Sequence, residues 1–215
     1  MKDKLRFYYN TNEYDKIVEY LKEVPALHSS LKLYEYAIQY NHYDPEYDFY
    51  GKDIDGKFRV KISRNELSSK CKVTWRERVK DEKGKVEKEI KKEVKIDPDD
   101  IDDFIYIVEN VMHFKLVESY ERNRVIFENN DVEVAVDEYP FGLCVQIESK
   151  SHDGKPEEIV KHWVEELGLD YAEGSDTSWD DKYEKLCIEQ NIDSYREVTF
   201  DKKMPQIKTL FKVKK

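Results

Sequence analysis

The chain has 215 residues, of which 39% are hydrophobic and 39% charged, with a formal net charge of -10 and 16 tyrosines. This is enough for one domain or a domain with an appendage. The aromatic content excludes a disordered chain, and the net negative charge disfavours binding to a long nucleic acid, whose backbone it repels. Cys71, Cys144 and Cys187 are odd in number and form no CxxC pair, which argues for reduced thiols rather than a zinc ribbon or disulfide framework.

In chain order, Lys4 to Tyr9 alternates and predicts a first strand. Thr11 is placed to cap a helix running to about Val24, with Ile17, Val18 and Leu21 as its apolar stripe and Pro25 ending it. A strand from Leu31 to about His42 puts Tyr34, Tyr36, Ile38 and Tyr40 on one face and Glu35, Gln39 and Asn41 around the other. DPEYDFYGKDIDG reads as a turn-rich connection.

Three charged strands follow, Lys57 to Ser63, Lys70 to Val79 and Val86 to Ile96, the last two joined through DEKGK as a hairpin. Asp97 and Pro98 open a helix to about Met112, with Ile101, Phe104, Ile105, Ile107, Val108 and Val111 apolar. Three further strands lie between Glu118 and Glu148, with PFG as a tight connection between the last two. A helix from Pro156 to Leu167 ends at Gly168, and after Tyr171 come a polar loop, a short helix around Asp181 to Gln190 and a basic end.

What sets these strands apart is where their charges fall. Arg59 and Lys61, then Lys72, Arg76 and Arg78, then Glu87 and Glu89, then Arg122 and Arg124 each recur at even spacing, so each group shares one strand face. In the last strands Val125, Phe127, Val132, Val134, Val136, Val145 and Ile147 occupy the opposite, core-facing side. If these strands are neighbours in one antiparallel sheet, the charges converge. The bland alternative is an ordinary solvated face laced with cross-strand ion pairs, and the carboxylates among them simply pairing with the arginines.

Other features point to no chemistry. The histidines show no ligand spacing, Trp75 alternates away from the charges, and Asp48, Asp53 and Asp55 lack an EF-hand pattern. There is no phosphate-binding G-x-x-x-x-G-K-[ST] loop, no G-x-S-x-G elbow and no H-E-x-x-H motif. No apolar run approaches the ~18 residues of a membrane span, and MKDKLRFYY lacks an apolar signal region, so a soluble cytoplasmic protein is expected.

The order of strand, helix, a strand ending QYNHYDPEYDFY, then GKFRVKI, KVTWRER, KVEKEI, helix, ESYERNR, EVAVDEYPFGLCVQIE and a closing helix ending ELGL resembles the CYTH family, the triphosphate tunnel metalloenzymes. These include class IV adenylate cyclases and thiamine and inorganic triphosphatases. The resemblance spans about residues 1–170, leaving 171–215 as a C-terminal helix and strand extension packing on that domain. It implies an α+β fold built on a closed or nearly closed eight-stranded antiparallel barrel with flanking helices, its tunnel binding a triphosphate.

Carried over residue by residue, the resemblance implies substrate binding by Arg6, Arg59, Lys61, Lys72, Arg76, Arg78, Arg122 and Arg124. It implies catalytic roles for Glu87, Glu89 and Glu148, and magnesium or manganese held by Glu87, Glu89, Asp137 and Glu148. The chain departs from the family at its first strand. Where the ExExK signature places two glutamates and a lysine, this sequence has Lys2, Lys4 and Arg6, and Gln146 stands where an acid is usual. An ammonium group supplies no oxygen ligand, so the metal site is either rebuilt from the remaining carboxylates or lost. Two functions follow as expectations: a protein acting on the phosphoanhydride of a nucleotide or other triphosphate, by hydrolysis or cyclisation, or a metal-independent binding or sensing module for a phosphorylated small molecule.

Overall fold

The computed structural model describes residues 3–50, 55–80, 86–151 and 155–214, except for the side chains of Lys80, Val86 and Glu87. Lys2, the DEKGK connection and the Glu87 side chain therefore lie outside the described residues. The fold is α+β, a predominantly antiparallel sheet of ten strands with several helices.

The strands are β1 (Lys4–Tyr9), β2 (His28–Ser29), β3 (Leu33–Asn41), β4 (Gly56–Arg64), β5 (Ser69–Lys80), β6 (Val86–Ile96), β7 (Lys115–Glu128), β8 (Val132–Tyr139), β9 (Gly142–Ser149) and β10 (Glu197–Val198). Their hydrogen-bonded order is β1-β9-β8-β7-β3-β4-β5-β6, with β2 and β10 attached to β7. Every long strand expected from the alternation is present, most within two residues of its expected ends. The path ends at β1 and β6, so the described pairs do not close it into the expected barrel.

The chain divides into two compact units, each with its own core. The first comprises Met1–Leu33, Arg122–Tyr195 and Phe200–Lys215. One face of its strands carries Leu5, Phe7, Val125, Phe127, Val134, Val145 and Ile147, which bury against Ile17 and Leu21 of helix α1 (Tyr14–Lys22) and Val160, Trp163 and Val164 of α3 (Pro156–Glu166). The helix entry is capped by Asn10, whose side chain accepts from the Asn12 amide, rather than by Thr11. Asn10 also binds the tail, its backbone N–H donating to the Thr209 carbonyl at 2.8 Å. Helix α3 begins with Pro156 and is closed by Gly168, whose φ of 61° lies in the left-handed region that an L side chain occupies only with strain. Helix α4 (Trp179–Gln190) starts at Ser178, whose hydroxyl accepts from the Asp181 amide.

The second unit comprises Tyr34–Glu121 and Arg196–Thr199. Its core joins Ile38, Tyr40, Val60, Ile62 and Cys71 from the sheet to Ile101 and Val108 from the helical segment. That segment is not the uniform helix expected. Asp97 caps a 3-10 turn, the α-helix α2 spans Ile101–Tyr106, and Ile107–Val111 widens into a π-helical turn closed by the Met112 amide on the Ile107 carbonyl at 2.8 Å. Ile101, Phe104, Ile105 and Val108 fit one helical stripe and Ile107 lies off it, while Val111 continues the stripe by an α-helical count but is exposed at the end of the wider turn.

Residues 200–214 have no regular secondary structure, yet they contribute to the first unit's core. Phe211 is 4% exposed and meets Tyr9 edge-on at 5.4 Å and Tyr20 at 5.6 Å between ring centroids. Truncating a buried aromatic of this kind costs about 3–5 kcal/mol. Phe211→Ala is therefore expected to lower the urea midpoint sharply, whereas a midpoint equal to that of the parent would show that the tail contributes nothing to this core.

Candidate functional site

In the second unit, fixed register converts the two-residue charge spacing into rows. Lys61 of β4 stands opposite Lys72 of β5, which stands opposite Lys95 of β6. Two rows along, Lys57, Arg76 and Lys91 align in the same way. Between them Arg59 faces Thr74, with Gln39 of β3 on its other side. Like charges placed directly across from one another destabilise a sheet unless something compensates them. The nearby carboxylates do so in part: Glu35 binds Lys61 at 2.6 Å, Glu93 binds Lys72 at 2.8 Å, and Glu89 approaches Arg76 at 3.4 Å. The Lys72 hydrogen bond holds the Glu93 carboxyl below its ordinary range.

Arg59 is handled differently. Its Nη2 donates to the neutral Oε1 of Gln39 at 2.8 Å, and its guanidinium carbon lies 6.0 Å from the centroid of the Tyr120 ring. Among the described residues, its hydrogen bond therefore goes to an amide and not to a carboxylate. The Gln39 amide in turn donates to the Tyr50 hydroxyl at 2.5 Å. Burial, then the Glu118 charge, push the Tyr50 phenol up to about 12, with Gln39 and Arg59 pulling the other way. Glu35 and Gln39, both buried, were legible as same-face residues of β3 but carried no assigned role. Tyr50 sits in an irregular loop and gave no periodic signal.

The polar face of the first unit has a different balance. Arg124 grips Asp137 with two bonds, Nε to Oδ1 at 2.6 Å and Nη2 to Oδ2 at 2.7 Å. Arg122 adds a third, Nη1 to Oδ2 at 3.0 Å, and also donates to the Tyr139 hydroxyl at 3.1 Å. Asp137 is 2% exposed, so two expected substrate arginines and one expected metal ligand are spent on one another in a buried cluster. Arg6 resembles Arg59 in its anchors. Its Nε donates to the Oε1 of Gln146 at 3.0 Å and its Nη1 to the Asp176 carbonyl at 3.0 Å. Gln146 also donates to Glu148 at 2.8 Å, and the Lys4 ammonium lies 3.9 Å from the same carboxylate.

These environments decide how well the carboxylates suit a divalent ion. Asp137 has its oxygens taken by guanidinium donors, Glu148 lies beside Lys4, and Glu89 beside Arg76. Among the described residues, no group of three or more His, Cys, Asp or Glu side chains is arranged to hold a metal ion. The described donor set does not fit magnesium or manganese bound by the protein alone, because each carboxylate already faces a cation. The thiols are no better placed for chemistry. All three are free and buried, and burial pushes the Cys144 thiol up to about 12, so it is protonated at neutral pH.

No family model and no curated protein sequence matches this chain. Solved structures do. The PH1819 protein of Pyrococcus horikoshii OT3 superposes with a TM-score of 0.60 at 24% identity, covering 85% of this chain and 97% of that one. The PH1012 protein of the same organism gives 0.55 at 15% identity, covering 83% and 97%. A Vibrio parahaemolyticus protein named "putative adenylate cyclase" gives 0.55 at 12% identity, covering 84% and 97%. The likeness is one of fold, and it agrees with the CYTH-like architecture that the strand order implied.

Two stability predictions follow from the first unit's polar face. Removing Asp137 leaves the Arg122 and Arg124 charges together in a largely buried place, and breaking such a cluster costs about 3–5 kcal/mol. Asp137→Ala is expected to show that loss in urea melts, and a loss below about 1 kcal/mol would mean the guanidinium groups find water. Burial raises the Glu133 carboxyl, with Arg124 opposing it and Glu148 and Glu128 adding to it. A raised acid stabilises the fold at low pH and loses that contribution as pH rises through its folded pKa. Glu133→Gln should therefore raise the melting temperature at pH 7.5, with the advantage vanishing towards about pH 4; an advantage independent of pH would contradict this.

Proposed function

We propose that this chain binds a triphosphate-bearing small molecule, a nucleotide or an inorganic triphosphate, on the basic strand face that contains Arg59. Closure of the strand path into the eight-stranded barrel is part of the same reading. The observation that carries it is the contrast between Arg59 and its neighbours. Lys61, Lys72 and Arg76 have carboxylate partners, whereas Arg59 is oriented by the Gln39 amide and the Tyr120 ring. Neutral anchors fix the direction of a guanidinium without cancelling its charge, and the planar donor fork then suits two phosphoryl oxygens.

The like-charge rows on either side support the same conclusion. Residues two apart on a strand are about 6.6 Å from one another and neighbouring strands about 4.8 Å, so the rows frame a patch on the scale of a triphosphate. A polyanion of about four negative charges relieves the repulsion along both rows at once, which is how the ligand would stabilise the folded chain. Lys61, Lys72, Arg76 and Arg78 are the further contacts in this reading. Arg6, with its neutral anchors, is by itself a candidate anion contact on the first unit. Because the described carboxylates face cations, binding is read as independent of a protein-held metal.

The second reading is turnover of the phosphoanhydride linkage, by hydrolysis or cyclisation, and the fold likeness to the Vibrio protein favours it. In that case Glu89, with Glu87 two residues before it, and Glu148 are the candidate catalytic carboxylates, while Arg and Lys stabilise charge developing on the phosphoryl oxygens. Three free thiols accord with a cytoplasmic, reducing setting. No helix of the described residues is long and apolar enough to cross a membrane.

Calorimetric titration with inorganic tripolyphosphate and with ATP, in EDTA and in magnesium, tests the reading. Binding is expected in EDTA, within about threefold of the magnesium value, weakening as salt screens the charges. Absence of binding at low salt, or binding in magnesium alone, would overturn it. Phosphate release or a cyclic nucleotide product in the same mixtures would establish the second reading.

A further inference from the structure

The hydrogen-bond chain through Gln39 has a direction that its chemistry fixes. A guanidinium can only donate, so the Gln39 oxygen must face Arg59 and its amide nitrogen must face Tyr50. The phenol oxygen then accepts from Gln39, and its own O–H is left to donate. Among the described residues, no acceptor takes that proton. The phenol stays protonated at neutral pH because burial and the neighbouring Glu118 charge both oppose its ionisation.

The loop that carries Tyr50 is built to hold it still. The Asn41 carboxamide oxygen accepts from the amides of His42 at 2.8 Å and Phe49 at 2.9 Å, while its nitrogen donates to Asp48 at 2.9 Å. Asp48 accepts from the Tyr50 amide at 2.9 Å, and that bond, followed by the one from Asn41, holds its carboxyl below the ordinary range. Phe49 packs edge-on against Trp75 at 4.9 Å and Phe114 at 5.6 Å. Its carbonyl accepts from the Gly56 amide at 2.7 Å, and the Trp75 ring lies 2.3 Å from where a Gly56 Cβ would stand. Only glycine admits that close approach, so the start of β4 is tied directly to Phe49, next to Tyr50.

We propose that Tyr50 and Arg59 form a two-donor clamp on one phosphoryl group, with Gln39 as the positioning residue that orients both. This rests on the anion-binding reading above. The Tyr50 hydroxyl supplies a neutral donor and Arg59 a charged one, and the single amide between them fixes their separation before any ligand arrives. Preorganised donors of this kind lose little entropy on binding. Thr74, directly across from Arg59 on β5, places a second hydroxyl in the same row.

Titration of the full chain with inorganic tripolyphosphate in EDTA tests the clamp, using Tyr50→Phe, Gln39→Glu and Arg59→Ala beside the parent. Tyr50→Phe keeps the ring and removes one donor, and it should weaken binding about tenfold; because the buried Gln39 amide also loses its acceptor, a lower ligand-free melting temperature is expected beside the affinity loss. Gln39→Glu keeps the side chain's shape but gives Arg59 a carboxylate, so it should weaken binding at least tenfold and flatten the dependence of affinity on salt, which a purely structural glutamine would not do. If the parent binds and Arg59→Ala does not, yet Tyr50→Phe binds within twofold of the parent, the clamp is wrong and the anion reading stands. If Gln39→Glu leaves affinity and salt slope unchanged, Gln39 is not a positioning residue and the clamp fails. If the parent itself does not bind, the anion reading falls and takes the clamp with it.

Discussion

The constraint on which the rest depends is register. In a strand, residues two apart share a face, and in a paired strand each residue has one fixed partner across. Once Val60 faces Val73 and Ile62 faces Cys71 in the core, Lys61 has no choice but to face Lys72 on the other side. The apolar positions thus set the placement of every charge without touching one. A one-residue slip would bury Lys61 and expose Val60, so the hydrophobic face enforces an arrangement of cations that electrostatics alone would not choose.

Within that arrangement the partner of each cation decides its availability. The Arg122, Arg124 and Asp137 cluster is closed, with three guanidinium bonds on one buried carboxylate, and it reads as structural. Lys61 lies between the two cases: its Glu35 partner is 2% exposed and also accepts from Ser63, but the Lys61 side chain itself is still 34% exposed and can reach a ligand. Arg59 and Arg6 are held by amides and carbonyls, which supply geometry and leave the charge largely uncancelled. Residues of one type on one face therefore split into two roles according to a single neighbour each.

Much of this was legible in the sequence because alternation is a strong local signal. β1 and β6 have the expected ends, and the apolar face from Val125 to Ile147 is the face that packs on α1 and α3. What escaped depends on contacts between distant residues. Gln39 lies 20 residues from Arg59, and Asp137 lies 13 residues from Arg124, so neither partnership is written in a spacing. Tyr50 sits in a loop, where no period marks a direction. The π-helical turn was hidden because Val111 continues the stripe of Ile101, Phe104 and Val108 by the ordinary helical count, so no residue in the sequence marks the wider turn.

The departures from the CYTH signature also become connected in the register of β1 with β9. Lys4 pairs with Glu148 and Arg6 with Gln146. An acid at position 146 would stand against Arg6 and neutralise it, whereas glutamine orients the same guanidinium through a neutral oxygen. A glutamate at position 4 would face Glu148 and create an oxygen pair able to draw a cation, whereas lysine brings positive charge to that place. Both changes move the local balance in one direction, from holding a cation towards holding an anion. Gln39 beside Arg59 gives the same solution on β3 and β4. Glutamine and arginine thus recur as a neighbouring pair in two registers, Arg6 with Gln146 and Arg59 with Gln39, and in both the amide oxygen fixes the guanidinium without adding a negative charge.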